Sequence, residues 1–200
     1  MSKEISAQHV KELRDKTGAG MMEAKSALQE ASGDVEAAIR VLRERGSLKA
    51  AKKGSRATSQ GIVHAYIHGE GRIGVMLEVN SETDFVARNQ EFKDFVHDLA
   101  LHIAAENPQY VSREDVPADI LESEKRVYTK EAEKEGKPAQ IFEKIVAGKL
   151  EKFFQQTCLL EQPFVRDPDL AVRELLNQKI AKIGENIKVR RFVRYVLGED

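Results

Sequence analysis

At 200 residues the chain is long enough for one or two domains. Its 41% hydrophobic content excludes an intrinsically disordered protein, and a formal net charge of −1 with 32% charged residues gives no global attraction to polyanions. The single cysteine, Cys158, excludes an internal disulfide and fits a reducing, cytoplasmic compartment; no run approaches about 20 apolar residues and no secretory leader pattern opens the chain, so neither membrane insertion nor export is expected.

Residues 1–46 read as a domain of three short helices. Ser6 is placed to cap the first, which carries an apolar stripe of Val10 and Leu13. The Thr17-Gly18-Ala19-Gly20 segment breaks it. The second helix runs from about Met21 to Ala31 and buries Ala24, Ala27, Leu28 and Ala31. Gly33 ends that helix and Asp34 caps the third, where Val35, Ala38, Ile39 and Leu42 recur at helical spacing and Gly46 is the expected stop. Residues 47–60 are basic and poor in large apolar groups, and read as a helical start followed by a linker.

From residue 61 to 200 the pattern is that of an α+β core domain. Gly61–His68 alternates, with Val63, Ala65 and Ile67 on one face and His64, Tyr66 and His68 on the other. A turn at residues 69–72 and a second apolar run, Ile73–Val79, complete an antiparallel hairpin. A two-stranded hairpin needs further partners, and the best third strand is Ile187–Leu197 at the far end. Between them the spacing predicts helices over Glu91–Ala105, Pro117–Gly136, Pro138–Phe154 and Leu170–Ile183. Strands at the two ends with helices between them give α+β.

Two segments carry specific chemistry. In the Gly18–Met22 turn, adjacent Met21 and Met22 point about 100° apart on a helix and cannot both face a small core well. One reading makes one of them core and the other incidental; the other makes the pair a soft apolar anchor for a partner. The glycines do not form a phosphate loop, since the segment follows a helix and lacks the Lys-Ser/Thr that such a loop carries. In Thr83-Asp84-Phe85-Val86, Thr83 or Asp84 can cap the following helix with Phe85 and Val86 as core or staple residues. Alternatively, Phe85 projects from the strand-to-helix corner as a rigid apolar wedge. His64 and His68, on what reads as a solvated strand face, are expected to be plain surface residues and not metal ligands. Cys158 sits in an apolar run and reads as a buried, inert thiol. No catalytic triad can be assembled, so no enzyme activity and no cofactor are expected.

The segments Leu13–Leu28 (LRDKTGAGMMEAKSAL) and Glu78–Arg88 (EVNSETDFVAR) resemble the two signature segments of the elongation factor Ts family. Ser32-Gly33-Asp34, Leu48–Lys53 and Gln162-Pro163-Phe164-Val165 agree, in order, along essentially the whole chain. The resemblance implies an N-terminal ubiquitin-associated-like three-helix domain and a core with a small three-stranded antiparallel sheet flanked by helices. It implies a guanine nucleotide exchange factor that binds GDP-bound elongation factor Tu. Arg14, Gly18, Gly20, Met21, Met22 and Lys25 would then belong to the partner-binding segment. Thr83, Asp84, Phe85 and Val86 would enter the partner near its nucleotide and disturb the Mg²⁺ and phosphate contacts. Because the chain is similar to forms with one core unit, a homodimer is implied. A ubiquitin-associated-type adaptor, or an RNA-binding protein using the basic run from Arg40 to Arg56, is the competing reading of the same residues.

Overall fold

The computed structural model describes residues 5–136 and 138–199. Three helices open the chain: α1 (Ala7–Thr17), α2 (Met21–Glu30) and α3 (Val35–Lys53). The sequence signals act at their ends as physics requires. The Ser6 hydroxyl accepts the His9 amide at 3.2 Å and caps α1. Gly18 ends it in the left-handed region at φ 66°, where a side chain would be strained, and its amide closes on the Arg14 carbonyl. Asp34 accepts the Ala37 amide at 2.7 Å and caps α3. Leu13, Ala24, Ala27, Leu28, Ala38 and Leu42 form the core of this bundle, with alanines allowing close helix approach.

The expected stop at Gly46 is corrected: α3 passes through it to Lys53. A helical glycine costs about 1 kcal/mol relative to alanine, and here packing offsets it. Gly46 is buried beside helix α8 (Val172–Ile183), where Asn177 donates to the Ser47 hydroxyl at 3.3 Å and Arg43 pairs with Glu174 at 3.5 Å.

Strands β1 (Gln60–His68) and β2 (Ile73–Ser81) form the expected hairpin. Short helix α4 (Asp84–Arg88) and long helix α5 (Gln90–Glu106) follow, and Asn89 caps α5. Helices α6 (Ala118–Lys134) and α7 (Phe142–Thr157) make a charged hairpin. A small hairpin of β3 (Pro163–Phe164) and β4 (Asp167–Ala171) precedes α8, so the helix expected over Leu170–Ile183 begins two residues later. The last strand, β5 (Ile187–Val196), joins β2, giving an antiparallel sheet of order β1-β2-β5. The class is α+β, as the sequence implies.

The chain divides into two compact units. One comprises residues 5–61, Ser81–Arg88 and Glu174–Lys188; the other comprises Ile62–Asn80, Asn89–Arg173 and residues 189–199. In the second unit α5 lies across the covered side of the sheet. Its His97 reaches His64 of β1, and its Ala104 carbonyl accepts from Arg194 of β5. Phe92, Phe95, Val96, Leu99 and Ile103 of α5 are fully buried, as are Leu77 and Val79 of β2.

The face of β1 that reads as solvated is partly covered: His64 and Tyr66 are half-buried, while His68 is exposed as expected. His64 Nε2 lies 3.3 Å from His97 Nδ1, Tyr66 stacks edge-on to His97, and the Tyr66 hydroxyl meets His68 Nδ1 at 2.9 Å. The opposite face exposes Val63, Ile67, Met76, Val193, Tyr195 and Leu197, with Glu78 and Arg191 paired across it at 2.8 Å. Among the described residues no group of three or more His, Cys, Asp or Glu side chains is placed to hold a metal ion. No described helix is long and apolar enough to cross a membrane.

Candidate functional site

The first candidate segment is the α1–α2 turn. Thr17 donates to the Leu13 carbonyl at 2.6 Å and accepts the Ala19 amide at 3.3 Å, while Arg14 Nε reaches the Ala19 carbonyl at 3.4 Å. These bonds hold the loop that starts α2. Gly20 sits at φ −63°, which any residue adopts, and a Cβ there would meet nothing within 4 Å. Its lack of a side chain leaves backbone open to close approach. Met21 is 61% and Met22 75% exposed, so the core reading fails for both. Arg14, Gly18 and Lys25 are exposed as well.

An apolar surface continues from Met22. Met22 and Leu48 flank a shallow groove between α2 and α3, lined also by Glu23, Ser26, Arg45 and Lys49. Leu48 is exposed and was not singled out by the spacing, because it lies beyond the expected helix end. Lys49 pairs with Glu23 at 2.7 Å, and Arg45 binds the Ser26 hydroxyl at 3.2 Å and Glu30 at 2.6 Å. Much of the basic run is therefore spent within its own unit, fastening α3 to α2.

The second segment is the corner after β2. Phe85 is 79% exposed, whereas Val86 and Ala87 are buried. The ring is presented and its successors anchor it, so of the two readings for Phe85 the staple is excluded. Neither Thr83 nor Asp84 caps by its side chain in the way considered from sequence. Asp84 lies in the first turn of α4 and pairs with Arg88 at 2.9 Å. Thr83 turns to a carboxylate distant in sequence: its amide donates to Glu185 Oε2 at 3.0 Å and its hydroxyl to Glu185 Oε1 at 2.7 Å.

Glu185 stands in the turn between α8 and β5, and that turn is itself tied down. The Asn186 amide donates to Glu82 Oε1 at 2.6 Å, and its side-chain amide donates to the Arg56 carbonyl at 2.8 Å and more weakly to the Gly54 carbonyl. Arg56 approaches Glu82 at 3.5 Å, and Lys53 Nζ donates to the Gly184 carbonyl. The Ser81 hydroxyl donates to the Thr83 carbonyl at 2.9 Å from within. Bonds to a charged acceptor are worth about 1.5–3 kcal/mol each, so the corner is fixed while its phenyl ring stays in water. Glu185 and Asn186 lie outside the two signature segments, and no periodicity links them to Thr83 and Glu82 about 100 positions away.

Both segments lie in one compact unit. Neither holds a nucleophile paired with a base; each offers an exposed apolar group on a stiff support. Cys158 is buried, and burial pushes its thiol up, as expected of an inert cysteine.

Comparison with known proteins gives the arrangement its context. The family model for elongation factor Ts matches residues 1–199. The chain is 62% identical over 196 residues to elongation factor Ts of Alkaliphilus oremlandii, covering 98% of this chain and 90% of that protein. It is 59% identical over 195 residues to the protein of the same name from Acetivibrio thermocellus, covering 98% and 91%. With that of Coprothermobacter proteolyticus it shares 59% identity over 196 residues, covering 98% of this chain and all of the relative. The chain belongs to the elongation factor Ts family of translation elongation factors.

Proposed function

We propose that this protein is the cytoplasmic guanine nucleotide exchange factor of elongation factor Tu, acting without bond chemistry of its own. The observation that carries the reading is Phe85, a large apolar ring left almost wholly in water on a corner fixed by several hydrogen bonds. Burying such a ring stabilises a complex by about 1.5–3 kcal/mol. A partner in which GDP is held by a phosphate-cradling loop and Mg²⁺ loses the nucleotide when those contacts are displaced. The wedge accelerates release only if its burial is stronger in that displaced state than in the closed one. The Met21–Met22 turn and the Leu48 groove supply binding that is common to both states.

Nucleotide must by the same coupling weaken the factor's hold, so rebinding of GTP recycles it. The basic run is largely engaged by Glu23, Glu30, Glu82 and Glu174 of its own unit, which favours a protein partner over RNA. The exposed sheet face of Val63, Ile67, Met76, Val193 and Tyr195 fits a second copy of the same face in a two-fold dimer.

The test is release of labelled GDP from elongation factor Tu. Substoichiometric protein should accelerate it over many turnovers. Unchanged release at saturating protein would refute the proposal.

A further inference from the structure

We propose that Glu185 is a positioning residue for exchange: its carboxylate clamps the amide and hydroxyl of Thr83 and so fixes the direction in which Phe85 is presented. The inference rests on the exchange reading above and assigns a role to a residue outside both signature segments.

Three observations carry it. The clamp is bidentate, with Oε2 taking the Thr83 amide at 3.0 Å and Oε1 the Thr83 hydroxyl at 2.7 Å. It acts on the residue two before the exposed ring, at the start of a helix only five residues long. Such a helix has too few internal bonds to define its own orientation. The clamp is also braced from behind. Asn186, itself buried, ties Glu82 on one side to the carbonyls after α3 on the other, and Lys53 holds the Gly184 carbonyl. Gly184 at φ 90° makes the turn that points Glu185 back at the corner.

A wedge works by differential binding, and that requires its direction to be set before contact. If the corner is free to swing, part of the burial energy of Phe85 goes into ordering it, and the displaced state of the partner is less favoured. Removing the clamp should thus lower the maximal exchange rate more than it weakens docking, because docking also draws on the Met21–Met22 surface.

The experiment compares wild type, Glu185→Ala and Glu185→Gln for GDP release from the partner GTPase, over ranges of factor and Mg²⁺ concentration, beside thermal melts. Glu185→Ala is expected to lower the maximal rate about tenfold, part of what the two bonds from Thr83 contribute, with the half-saturating concentration changed by less than about twofold. Glu185→Gln should restore most of the rate. Its Oε1 can accept the Thr83 amide while its Nε2 donates to the Thr83 hydroxyl oxygen. In a Phe85→Ala background, Glu185→Ala should add no further slowing, because the two residues act through one ring. Should Glu185→Ala not fold, Thr83→Val removes the hydroxyl donor alone and should slow exchange in the same sense, by about threefold.

A folded Glu185→Ala protein with the wild-type maximal rate would overturn the proposal. So would slowing that multiplies fully with Phe85→Ala, since the carboxylate would then act elsewhere. If the wild type itself leaves GDP release unchanged, the exchange reading falls. If wild type accelerates release and Phe85→Ala slows it while Glu185→Ala does not, only the positioning role falls.

Discussion

Truncating Phe85 to alanine separates the wedge from every reading in which the ring serves the fold. The side chain is 79% exposed, so about one fifth of its burial free energy is realised in the free protein. Taking about 1.5–3 kcal/mol for full burial of a phenylalanine, the fold should lose only about 0.3–0.6 kcal/mol. That is a shift in Tm of a few degrees at most in a chain of this size. The remaining four fifths, about 1.2–2.4 kcal/mol, is available on contact with the partner. If all of it is spent on the state in which Mg²⁺ and the phosphate loop are displaced, the maximal rate of GDP release falls by roughly eightfold to sixtyfold. If it is spent equally on closed and displaced states, only affinity falls. Stopped-flow release of a fluorescent GDP at saturating factor, repeated across Mg²⁺ concentrations, reads the difference. Slowing should be largest at high Mg²⁺ and should shrink when a chelator removes the ion. A folded Phe85→Ala protein that exchanges at the wild-type rate at every Mg²⁺ concentration would refute the reasoning. So would a variant that melts 10 °C or more lower and loses docking and exchange together.

Met21→Ala with Met22→Ala should raise the factor concentration needed for half-maximal exchange and leave Tm nearly unchanged, because both side chains are mostly exposed; a drop in Tm at constant affinity would contradict this. If the exposed sheet face pairs two copies as proposed, Met76→Glu should shift sedimentation from dimer to monomer, and the wild type should sediment as a dimer in reductant because the sole cysteine is buried; a wild-type monomer would contradict the proposal. Acid should weaken the fold through His102. Burial lowers its pKa against the opposing pull of Gln162 and Glu106, and its Nδ1 accepts the Val165 amide at 3.2 Å while its Nε2 meets Gln162 at 2.9 Å. The unfolded chain protonates near about pH 6.5 and the folded chain resists, so this stability is full above that pH. It is lost at up to about 1.4 kcal/mol per unit as pH falls towards the folded value. Melts of wild type against His102→Gln should converge as pH drops from 7 to 5, and parallel curves would contradict the assignment.

The elements most readable in the sequence are those whose ends are written in local chemistry. Ser6 and Gly18 bound α1, Asp34 starts α3, and the alternation of β1 and the apolar run of β2 both form strands. What the sequence hides depends on contacts with distant segments. Gly46 reads as a stop because its propensity is local, while the packing beside Asn177 that carries the helix through it is not. The alternation of β1 shows two faces but not which is covered. His97, from α5, settles that in favour of the histidine and tyrosine side. The two-residue strand Pro163–Phe164 is too short to have a period at all. At the site, Met21, Met22 and Phe85 were identifiable as residue types in suspicious places, but their exposure was not, and the carboxylate that holds Thr83 was out of reach of any pattern.

That carboxylate also sets a schedule for biosynthesis. Thr83 and Glu185 are 102 positions apart. At about 5–20 residues per second, a translating ribosome needs about 5–20 s after making the corner to supply its clamp. Throughout that interval nothing clamps Thr83, and the phenyl ring lacks the bearing that the folded chain gives it.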